Sequence, residues 1–548
     1  MTDVLNGPDI QRWIGDEQSL QFGPEAFNEA LGRLGRPVYV VGENRRQPAV
    51  SQTGTLVWGR AMDGLPEGRP LLGFTPPLRP EALGDDGFKR DLGLRYAYVI
   101  GAMANGISSV EMVEAAGRAG MLGFFGTGGQ NLDQVRTAID RLAALQTDVP
   151  YGFNLIHSPN DPLLEEAVAD LFIARNIRLV EASAYLGLTL PLVRYRISGI
   201  HQRPDGTIIC PNHVVAKVSR VEVAAKFFAP PPDKLIAELL RQGKITEQEA
   251  RLAEQVPMAR DITAEADSGG HTDNRPALTL LPTFLALRED AMARHGFKAP
   301  LRVGLGGGIA TPDAAAAAFA MGAAYVLTGS INQACIEADT SATVREMLAE
   351  TQQADVIMAP AADMFEMGVK VQVLKRSTMF AMRAAKLYEL YRAHESYEQI
   401  PPATRAGIEK DLLRASYPEA WQATRRFFEQ RDPTQIERAE KNPKHQMALV
   451  FRSYLGQSSL WAKTGEPSRR MDYQIWCGPA MGAFNAWTKG SFLERTDARS
   501  VAVVGMNLLY GAAGLVRCGW LRQQGVSLPA EAAIFRPLPP EEIETRTA

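Results

Sequence analysis

The sequence has few cysteines and almost no net charge, and both features exclude classes of protein. The four cysteines, Cys210, Cys335, Cys477 and Cys518, are far apart among 548 residues, which argues against a disulfide framework and a zinc site. The formal net charge of -3 provides no basic field that would recruit nucleic acid or anionic lipid. We therefore expect no nucleic-acid partner and a reducing, cytoplasmic environment.

Targeting signals and long apolar runs are also scarce. The first residues, Met1 to Asn6, lack the basic and apolar regions of a signal peptide. No apolar run approaches the roughly 20 residues of a membrane-spanning helix, so we expect no membrane association. An apolar content of 45% and a charged content of 22% are ordinary for a globular protein. The length predicts roughly two to four structural units.

Strands and amphipathic helices alternate from Leu94 onwards. This alternation is typical of βα units and a parallel sheet. Eight strands are predicted, which favours an α/β fold with a (β/α)8 TIM barrel over an open doubly wound sheet. The predicted strands cover residues 97–100, 122–125, 151–155, 179–182, 213–217, 262–265, 302–305 and 325–327.

The composition changes along the chain and predicts four regions. Within the first region, short strands are predicted at 38–41 and 55–58, and the proline-rich segment Gly73 to Pro80 predicts a linker. A helical excursion interrupts the barrel at 230–257. The regions are a small N-terminal domain (1–92), the barrel (93–390), a large helical insertion (391–490) and C-terminal helices that pack on the barrel (491–548).

Two neighbouring strands end in glycine-rich turns, which indicates a phosphate site. Gly306-Gly307-Gly308 ends one strand, and Thr328-Gly329-Ser330 ends the next. Glycines let backbone N–H groups approach a phosphate closely. A helix predicted to begin at Pro312, with Thr311 as its N-cap, points its positive end at the same place. Ordinary tight turns are the alternative, but two such turns on adjacent strands favour a phosphate-bearing cofactor.

Three further strand ends carry candidate cofactor contacts. The loop Gly101-Ala102-Met103-Ala104-Asn105-Gly106 is small and apolar, so its backbone can pass across a flat ring, although Met103 could equally fill the barrel end. Because no Gly-x-Gly-x-x-Gly fingerprint opens a βαβ unit, FMN fits better than a dinucleotide. Asn154 is a candidate for the polar edge of the ring or the ribityl chain. Lys217 is a candidate for the N1–C2=O side of the ring. For both Asn154 and Lys217, the alternative is a cap or an ion pair at the rim of the barrel.

His271 is the candidate catalytic residue. It follows Gly269-Gly270 at a strand end, so its backbone can lie against a cofactor while the imidazole reaches a substrate. Histidine titrates near neutrality and can donate or accept a proton, whereas a hydrogen-bonded rim histidine is the alternative. Glu265 and Asp267 precede it, and either could orient His271 or close an ion pair. The other histidines have no metal-ligand spacing, and Cys335 and Cys477 show no sign of activation.

These residues resemble the FMN-dependent 2-nitropropane dioxygenase-like (nitronate monooxygenase) superfamily. Longer motifs resemble, more specifically, the PfaD family of stand-alone enoyl reductases. Those enzymes serve polyunsaturated fatty acid synthases and trans-acyltransferase polyketide synthases. The motifs cover residues 99–108, 264–275, 363–376, 386–391 and 473–485, and the match spans essentially the whole chain.

The resemblance implies a trans-acting enoyl reductase of acyl carrier protein-bound thioesters. NADPH would reduce FMN, with NADH not excluded, and His271 would act on the substrate. The helical insertion would cover the substrate and dock the carrier protein. Arg425-Arg426 or Arg469-Arg470 are candidate contacts, and a solvated basic face is the favoured alternative for either pair. The oligomeric state stays open, a homodimer included. The implied cofactor contacts are Ala102, Met103, Ala104, Asn154, Lys217, Gly269, Gly270, Gly306, Gly307, Gly308, Gly329 and Ser330.

Three other functions fit parts of this pattern. A nitronate monooxygenase would use the same barrel and histidine with oxygen as the oxidant, but a nitroalkane needs no long helical cover. An isomerase or aldolase barrel would bind phosphate without a flavin and would purify colourless. A non-catalytic component of a synthase would bind carrier protein without turnover.

Overall fold

The computed structural model describes residues 9–42, 48–60, 67–145, 149–158 and 161–548. Parts of the predicted N-terminal domain, at 1–8, 43–47 and 61–66, lie outside the described residues. The segment Met1 to Asn6, on which the prediction about a signal peptide rests, lies there too.

Six strands near the N-terminus form an antiparallel sheet in the order β2-β4-β3-β6-β1-β5. Strands β3 and β5 confirm the two predicted strands. The linker predicted for Gly73 to Pro80 is wrong at its start, because β6 continues to Thr75 and Gly73 pairs with Val40. The strand ends where Pro76 and Pro77 remove two backbone donors. The six strands are β1 Asp9–Ile14, β2 Gln21–Phe22, β3 Val38–Val41, β4 Ala49–Ser51, β5 Thr55–Arg60 and β6 Arg69–Thr75.

Eight parallel strands close into a barrel, which confirms the predicted fold class. Their order is β10-β13-β14-β16-β17-β7-β8-β9, and β9 pairs with β10 to complete the ring. All eight predicted strands are present with small shifts at their ends. A two-stranded hairpin, β11 His201–Gln202 and β12 Ile208–Ile209, separates β10 from β13. The barrel strands are β7 Tyr98–Ile100, β8 Leu122–Phe125, β9 Tyr151–Ile156, β10 Leu179–Ser183, β13 His213–Val218, β14 Asp261–Glu265, β16 Arg302–Gly306 and β17 Val326–Thr328.

Each barrel strand is followed by a helix, and several helices begin at a side-chain cap. Ser109, Asn131, Thr189 and Thr311 each accept a hydrogen bond from a backbone N–H of the first turn. Thr311 and Pro312 therefore take the predicted cap and first helical positions. The predicted excursion at 230–257 contains α8 and α9. The helices up to the end of the barrel are α1 Pro24–Gly32, α2 Asp86–Leu92, α3 Val110–Arg118, α4 Leu132–Ala143, α5 Pro162–Ala174, α6 Leu190–Ile197, α7 Val221–Phe228, α8 Asp233–Arg241, α9 Glu247–Ala253, α10 Ala277–His295, α11 Pro312–Ala320 and α12 Ser330–Gln333.

A small sheet beside the barrel was not predicted. β15 Gly270–His271, between β14 and β16 in the chain, pairs with β19 Lys370–Leu374, which pairs in turn with β18 Val356–Pro360. The register places His271 opposite Val371 and Gly270 opposite Gln372. Residues that follow the barrel in sequence therefore hold the histidine loop.

The helical insertion confirms the predicted helical character of this region. It shares a buried core with the segment that precedes it, because Trp421 and Phe451 of the insertion belong to the same cluster as Phe365 and Leu387. Arg414, at a φ of 55°, ends the π-helix Ile408–Leu413. The domain boundary predicted at 390/391 falls inside α14, and the three boundaries between the four regions stay predictions. The remaining helices are α13 Ala342–Ala349, α14 Phe380–Ala393, α15 Pro402–Gly407, α16 Tyr417–Arg431, α17 Thr434–Lys441, α18 Pro443–Thr464, α19 Ala480–Thr488, α20 Val501–Gln523 and α21 Pro540–Thr547.

One helix corrects the expectation about long apolar segments. The 23 residues of α20 are long and apolar enough to cross a membrane. However, 72% of the most apolar 18-residue window is buried inside the protein. The helix packs against α11 of the barrel and also contacts β6 and α1 of the N-terminal region. Burial on several sides accounts for its apolar composition, since such a helix has little surface left for polar residues.

Candidate active site

The predicted catalytic histidine forms a pair with a carboxylate. His271 Nε2 lies 3.2 Å from Oδ1 of Asp363, in the segment between β18 and β19. Burial lowers the pKa of His271, but the hydrogen bond and charge of Asp363 outweigh it, so the pKa of His271 lies above its ordinary value. The side chain is 35% exposed. A proton can therefore be held on this imidazole near neutral pH at a position that a substrate can reach.

Neither acidic residue that precedes the histidine orients it. Glu265 ends β14, and its Oε1 lies 3.2 Å from Nζ of Lys217. Asp267 lies beyond the strand and accepts hydrogen bonds from Asn274 Nδ2 at 2.8 Å and Gln372 Nε2 at 2.9 Å. Of the two roles left open by the sequence, Glu265 takes the ion pair. Asp267 instead fixes the loop.

The Ser268–His271 loop is held by residues from after the barrel. Gln372 Nε2 donates to the carbonyl of Ser268 at 3.1 Å. Gly269 packs so closely on Cys477 that a Cβ atom at position 269 would stand 2.9 Å from the Cys477 carbonyl carbon. Gly270 has a φ of +80°, a left-handed conformation that favours glycine. These contacts explain why both glycines precede the histidine.

The two glycine turns lie side by side, as predicted. Glu265 of β14 pairs with Gly306, and Leu327 of β17 pairs with the same residue. Gly307, at a φ of +85°, approaches the backbone so closely that a Cβ atom would stand 2.6 Å from the Ala266 carbonyl carbon. Among the described residues, no heavy atom lies within 4 Å of a Cβ built on Gly308 or Gly329. The space beside the backbone of Gly308 and of Gly329 is therefore open.

The side chain of Ser330 connects the second turn to the later motif at 473–485. Its Oγ accepts a hydrogen bond from the backbone N–H of Gly478 at 3.0 Å. The hydroxyl hydrogen of Ser330 remains available to an acceptor such as a phosphate oxygen. The structure therefore places Ser330 where the sequence predicted it and adds a second task, the docking of the Cys477-Gly478 segment.

The predicted polar residues at other strand ends lie inside the barrel mouth. Both hydrogens of the Asn154 amide are used, because Nδ2 donates to Glu181 O at 2.9 Å and to Ser183 Oγ at 3.0 Å. Only its Oδ1 remains for a ligand, as an acceptor. Burial lowers the pKa of Lys217, but Glu265 and Glu181 outweigh it and raise that pKa above the ordinary value. Lys217 is therefore a stable cation at the barrel mouth.

Two side chains accept hydrogen bonds from the backbone of the small loop after β7. Ser108 Oγ accepts from Met103 N at 2.9 Å, and Glu181 Oε2 accepts from Ala102 N at 3.1 Å. Ala104 starts a 3-10 turn, in which Asn105 has a φ of 59°. From the helical insertion, Ser459 Oγ accepts from Asn105 Nδ2 at 2.9 Å. The insertion thus contacts both the first loop and, through Cys477, the histidine loop.

Three residues of the site were not predicted. Asp363 and Gln372 lie within a recognised motif, but no local pattern connects them to His271. Glu181 carried a usable signal, because an acidic residue in the apolar strand Leu179–Ser183 is costly unless it is paired. Burial raises the pKa of Glu181 to about 6, and Lys217 lowers it in part.

The other predictions about charged residues and cysteines have mixed outcomes. Arg469 is a structural residue, because it donates to the carbonyls of Leu412 and Leu413 and pairs with Asp472. Arg426 is exposed on α16.

Burial raises the pKa of Cys477 to about 12 and that of Cys335 well above its usual range, in agreement with the predicted lack of activation. In the described part of the chain, no cluster of His, Cys, Asp or Glu could hold a metal ion.

The residues present fit FMN. The open space at Gly308 and Gly329 suits a phosphate group, because backbone N–H groups can approach it without a side chain in the way. Asn154 Oδ1 and the Lys217 cation belong to other strands, further around the barrel from these turns. A ligand with a phosphate at one end and a flat polar ring at the other matches this separation.

Comparison with known proteins identifies the family. Residues 88–415 match the family model described as nitronate monooxygenase. The chain belongs to the nitronate monooxygenase family. This match confirms the resemblance stated from the motifs and makes the chain a flavin-dependent oxidoreductase. Residues 394–473 match a second model, the inserted helical domain of [acyl-carrier-protein] S-malonyltransferase, which coincides with most of the helical insertion.

The relatives include a subunit of a polyunsaturated fatty acid synthase and a polyketide biosynthesis protein. The chain is 45% identical over 461 residues to a component of the polyunsaturated fatty acid synthase of Thraustochytrium, covering 83% of this chain and 31% of that protein. It is 45% identical over 440 residues to polyketide biosynthesis protein PksE of Bacillus subtilis, covering 80% and 57% respectively. The chain thus spans between about a third and somewhat over half of the length of these relatives.

A solved structure of an enoyl reductase domain has the same fold. The enoyl reductase domain of MlnA, from the macrolactin biosynthesis cluster of Bacillus amyloliquefaciens, superimposes with a TM-score of 0.76 at 39% identity. The match covers 81% of this chain and 99% of that domain. The likeness therefore extends beyond the barrel core to most of the described architecture.

Proposed function

We propose that the protein is an FMN-dependent enoyl reductase that acts in trans on α,β-unsaturated thioesters of an acyl carrier protein, with NADPH as the hydride donor. The observation that carries the proposal is the His271–Asp363 pair beside the glycine turns, in a chain so similar to an enoyl reductase domain. The relatives in polyketide and polyunsaturated fatty acid synthases support a carrier-bound substrate.

Cofactor binding would divide between the two sides of the barrel mouth. Backbone N–H groups of Gly306 to Gly308 and Gly329, with the Ser330 hydroxyl, would hold the phosphate. The backbone of Ala102 to Ala104 would lie along the ring. Lys217 would stabilise negative charge at N1–C2=O, and Asn154 would accept a hydrogen bond. FMN would accept hydride from NADPH and deliver it to the β-carbon of the substrate.

His271 would complete the reduction at the α-carbon. Hydride addition to the β-carbon leaves an enolate, which needs a proton at the α-carbon and stabilisation at its oxygen. Protonated His271 can supply either, and Asp363 keeps it protonated and oriented. The overall reaction consumes one NADPH and one proton for each double bond.

The helical insertion would cover this chemistry. Lys463 Nζ donates to Asn105 O at 2.6 Å, and Arg431 Nε lies 3.0 Å from Asp161 in the loop after β9. The insertion therefore contacts several loops at the carboxyl ends of the strands. Such a cover would exclude water from the reduced cofactor and shape a path for a long acyl chain.

The decisive experiment separates reduction of the cofactor from its reoxidation. Purified protein is reduced anaerobically by NADPH and then mixed with a crotonyl thioester on carrier protein or on pantetheine. We expect reoxidation of the flavin and formation of the saturated thioester by mass spectrometry. The His271→Ala protein is the matched control, and its flavin should be reoxidised far more slowly.

Other outcomes contradict the proposal in distinguishable ways. Reduced flavin that reoxidises only with oxygen or a nitronate would indicate a nitronate monooxygenase. A protein that binds FMN but is not reduced by NADPH or NADH would indicate a non-catalytic component. A colourless protein that binds no FMN would indicate an isomerase or aldolase type of barrel.

A further inference from the structure

A buried carboxylate connects two parts of the barrel mouth. Glu181 lies in β10 and its side chain is fully buried. Its Oε2 accepts the hydrogen bond of Ala102 N at 3.1 Å, although β7, which precedes Ala102, stands three positions away around the barrel. Ser183 Oγ donates to the same oxygen at 3.4 Å. The Glu181 side chain thus holds the backbone of the small loop after β7 at Ala102.

The other oxygen of this carboxylate differs from the first in its hydrogen bonding. Among the described residues, Glu181 Oε1 has no hydrogen-bond partner. An unpaired buried carboxylate oxygen costs stability, and a neutral side chain of the same shape would cost less. Lys217 and Glu181 attract one another electrostatically, and Lys217 also pairs with Glu265. The three side chains together carry one net negative charge when both carboxylates are ionised, and none when Glu181 is protonated.

We infer that Glu181 is a positioning residue of the cofactor site, which holds the Ala102–Ala104 backbone with one oxygen and sets the net charge around Lys217. This inference rests on the proposed function, because it requires the flavin ring to lie between this loop and Lys217. The two tasks use different properties of one side chain. The first depends on its length, and the second depends on its charge.

Two variants separate length from charge. Glu181→Asp keeps the charge but is one methylene shorter, so it no longer reaches Ala102. We expect FMN binding on the order of tenfold weaker, the usual scale for one lost hydrogen bond to a charged group, with little change in midpoint potential.

Glu181→Gln keeps an acceptor for Ala102 N but removes the charge. We expect a raised midpoint potential, since a negative charge beside the reduced anionic ring is gone, and nearly unchanged affinity for oxidised FMN.

A second substitution tests whether Glu181 acts together with Lys217. In a Lys217→Met background, burial without a nearby cation would leave Glu181 protonated and neutral. Glu181→Gln should then shift the potential much less than it does in the wild type. Glu337→Gln is the matched control, because this partly buried carboxylate accepts from Val501 N at the start of α20. It should leave both FMN affinity and potential unchanged.

The measurements are the FMN dissociation constant, from quenching of flavin fluorescence, and the midpoint potential against a reference dye. The inference would be overturned if both Glu181 variants had the FMN affinity and the midpoint potential of the wild type. It would also be overturned if Glu181→Gln shifted the midpoint potential equally in the wild-type and Lys217→Met backgrounds. Circular dichroism checks that each variant folds. If one variant does not fold, the other still tests either the contact with the loop (Glu181→Asp) or the effect of the charge (Glu181→Gln). A wild-type protein that binds no FMN would instead overturn the proposed function, and this inference with it.

Discussion

His271 and Asp363 are separated by 92 positions in sequence, yet His271 Nε2 lies 3.2 Å from Asp363 Oδ1. The strands β15 and β19 bring them together, because β19 begins seven residues after Asp363 and pairs with the histidine strand. The pair therefore depends on a sheet outside the barrel. A barrel alone would leave this histidine without the carboxylate that raises its pKa.

Replacing Asp363 by Asn should shift the pH dependence of turnover to lower pH. Under the proposed function the proton donor is protonated His271, so activity should be lost as the pH rises through the pKa of His271. Asp363 holds that pKa above its ordinary value, and Asn removes most of this effect. The high-pH limb of kcat, measured across the neutral range, should therefore move towards acid. Asp497→Asn, at an exposed pair with Arg495, should not move it. An unshifted limb in Asp363→Asn would remove the carboxylate from this role.

Replacing His271 by Ala should leave FMN bound but lower the turnover number. Loss of a general acid typically costs about 10²- to 10⁴-fold in rate. The proposed cofactor contacts come from other residues, so the flavin absorbance spectrum and the FMN content should match those of the wild type. Reduction by NADPH should also persist, since it needs no proton donor to carbon. Turnover equal to that of the wild type would exclude His271 from the mechanism.

Replacing Gly329 by Ala should weaken FMN binding without a steric clash inside the protein. A Cβ atom there meets no heavy atom of the described residues within 4 Å, so it projects into the space assigned to the phosphate. We expect roughly tenfold weaker FMN binding or more, from loss of a close backbone contact. Isothermal titration of the apoprotein with FMN measures it. Gly456→Ala, in α18 with equally open surroundings, is the control. Equal affinity in both variants would place the phosphate elsewhere.

Substitution of Arg426 should change the KM for a carrier-bound substrate, whereas substitution of Arg469 should change the thermal stability of the protein. Arg426 is exposed, so Arg426→Glu should raise the KM for a carrier-bound enoyl thioester and leave that for a pantetheine thioester unchanged. Arg469→Ala should instead lower the melting temperature, because it leaves the carbonyls of Leu412 and Leu413 and the Asp472 carboxylate without this partner. Kinetics with the two substrates and thermal unfolding give the comparison. An unchanged KM for the carrier-bound substrate would exclude docking at Arg426.

The eight barrel strands were predictable because each is defined by a short apolar run between polar turns. The N-cap at Thr311 and the first helical position at Pro312 were predictable for the same reason, since capping depends on neighbours within one turn. The apolar run of α20 was underestimated, because sequence pattern does not reveal that a helix is buried on several sides. The segment Gly73 to Thr75 was misjudged, since strand pairing with Val40 outweighed its turn-like composition.

The sequence by itself determined the barrel, its glycine turns and the position of His271 at a strand end, because these depend on residues close together in the chain. Only the tertiary structure decided that Asp363 partners the histidine, that Glu265 pairs with Lys217, and that Glu181 reaches Ala102. Such partners are separated by tens of residues and meet through sheet register and barrel closure. Local pattern contains no information about which of several equivalent carboxylates will lie within hydrogen-bonding distance.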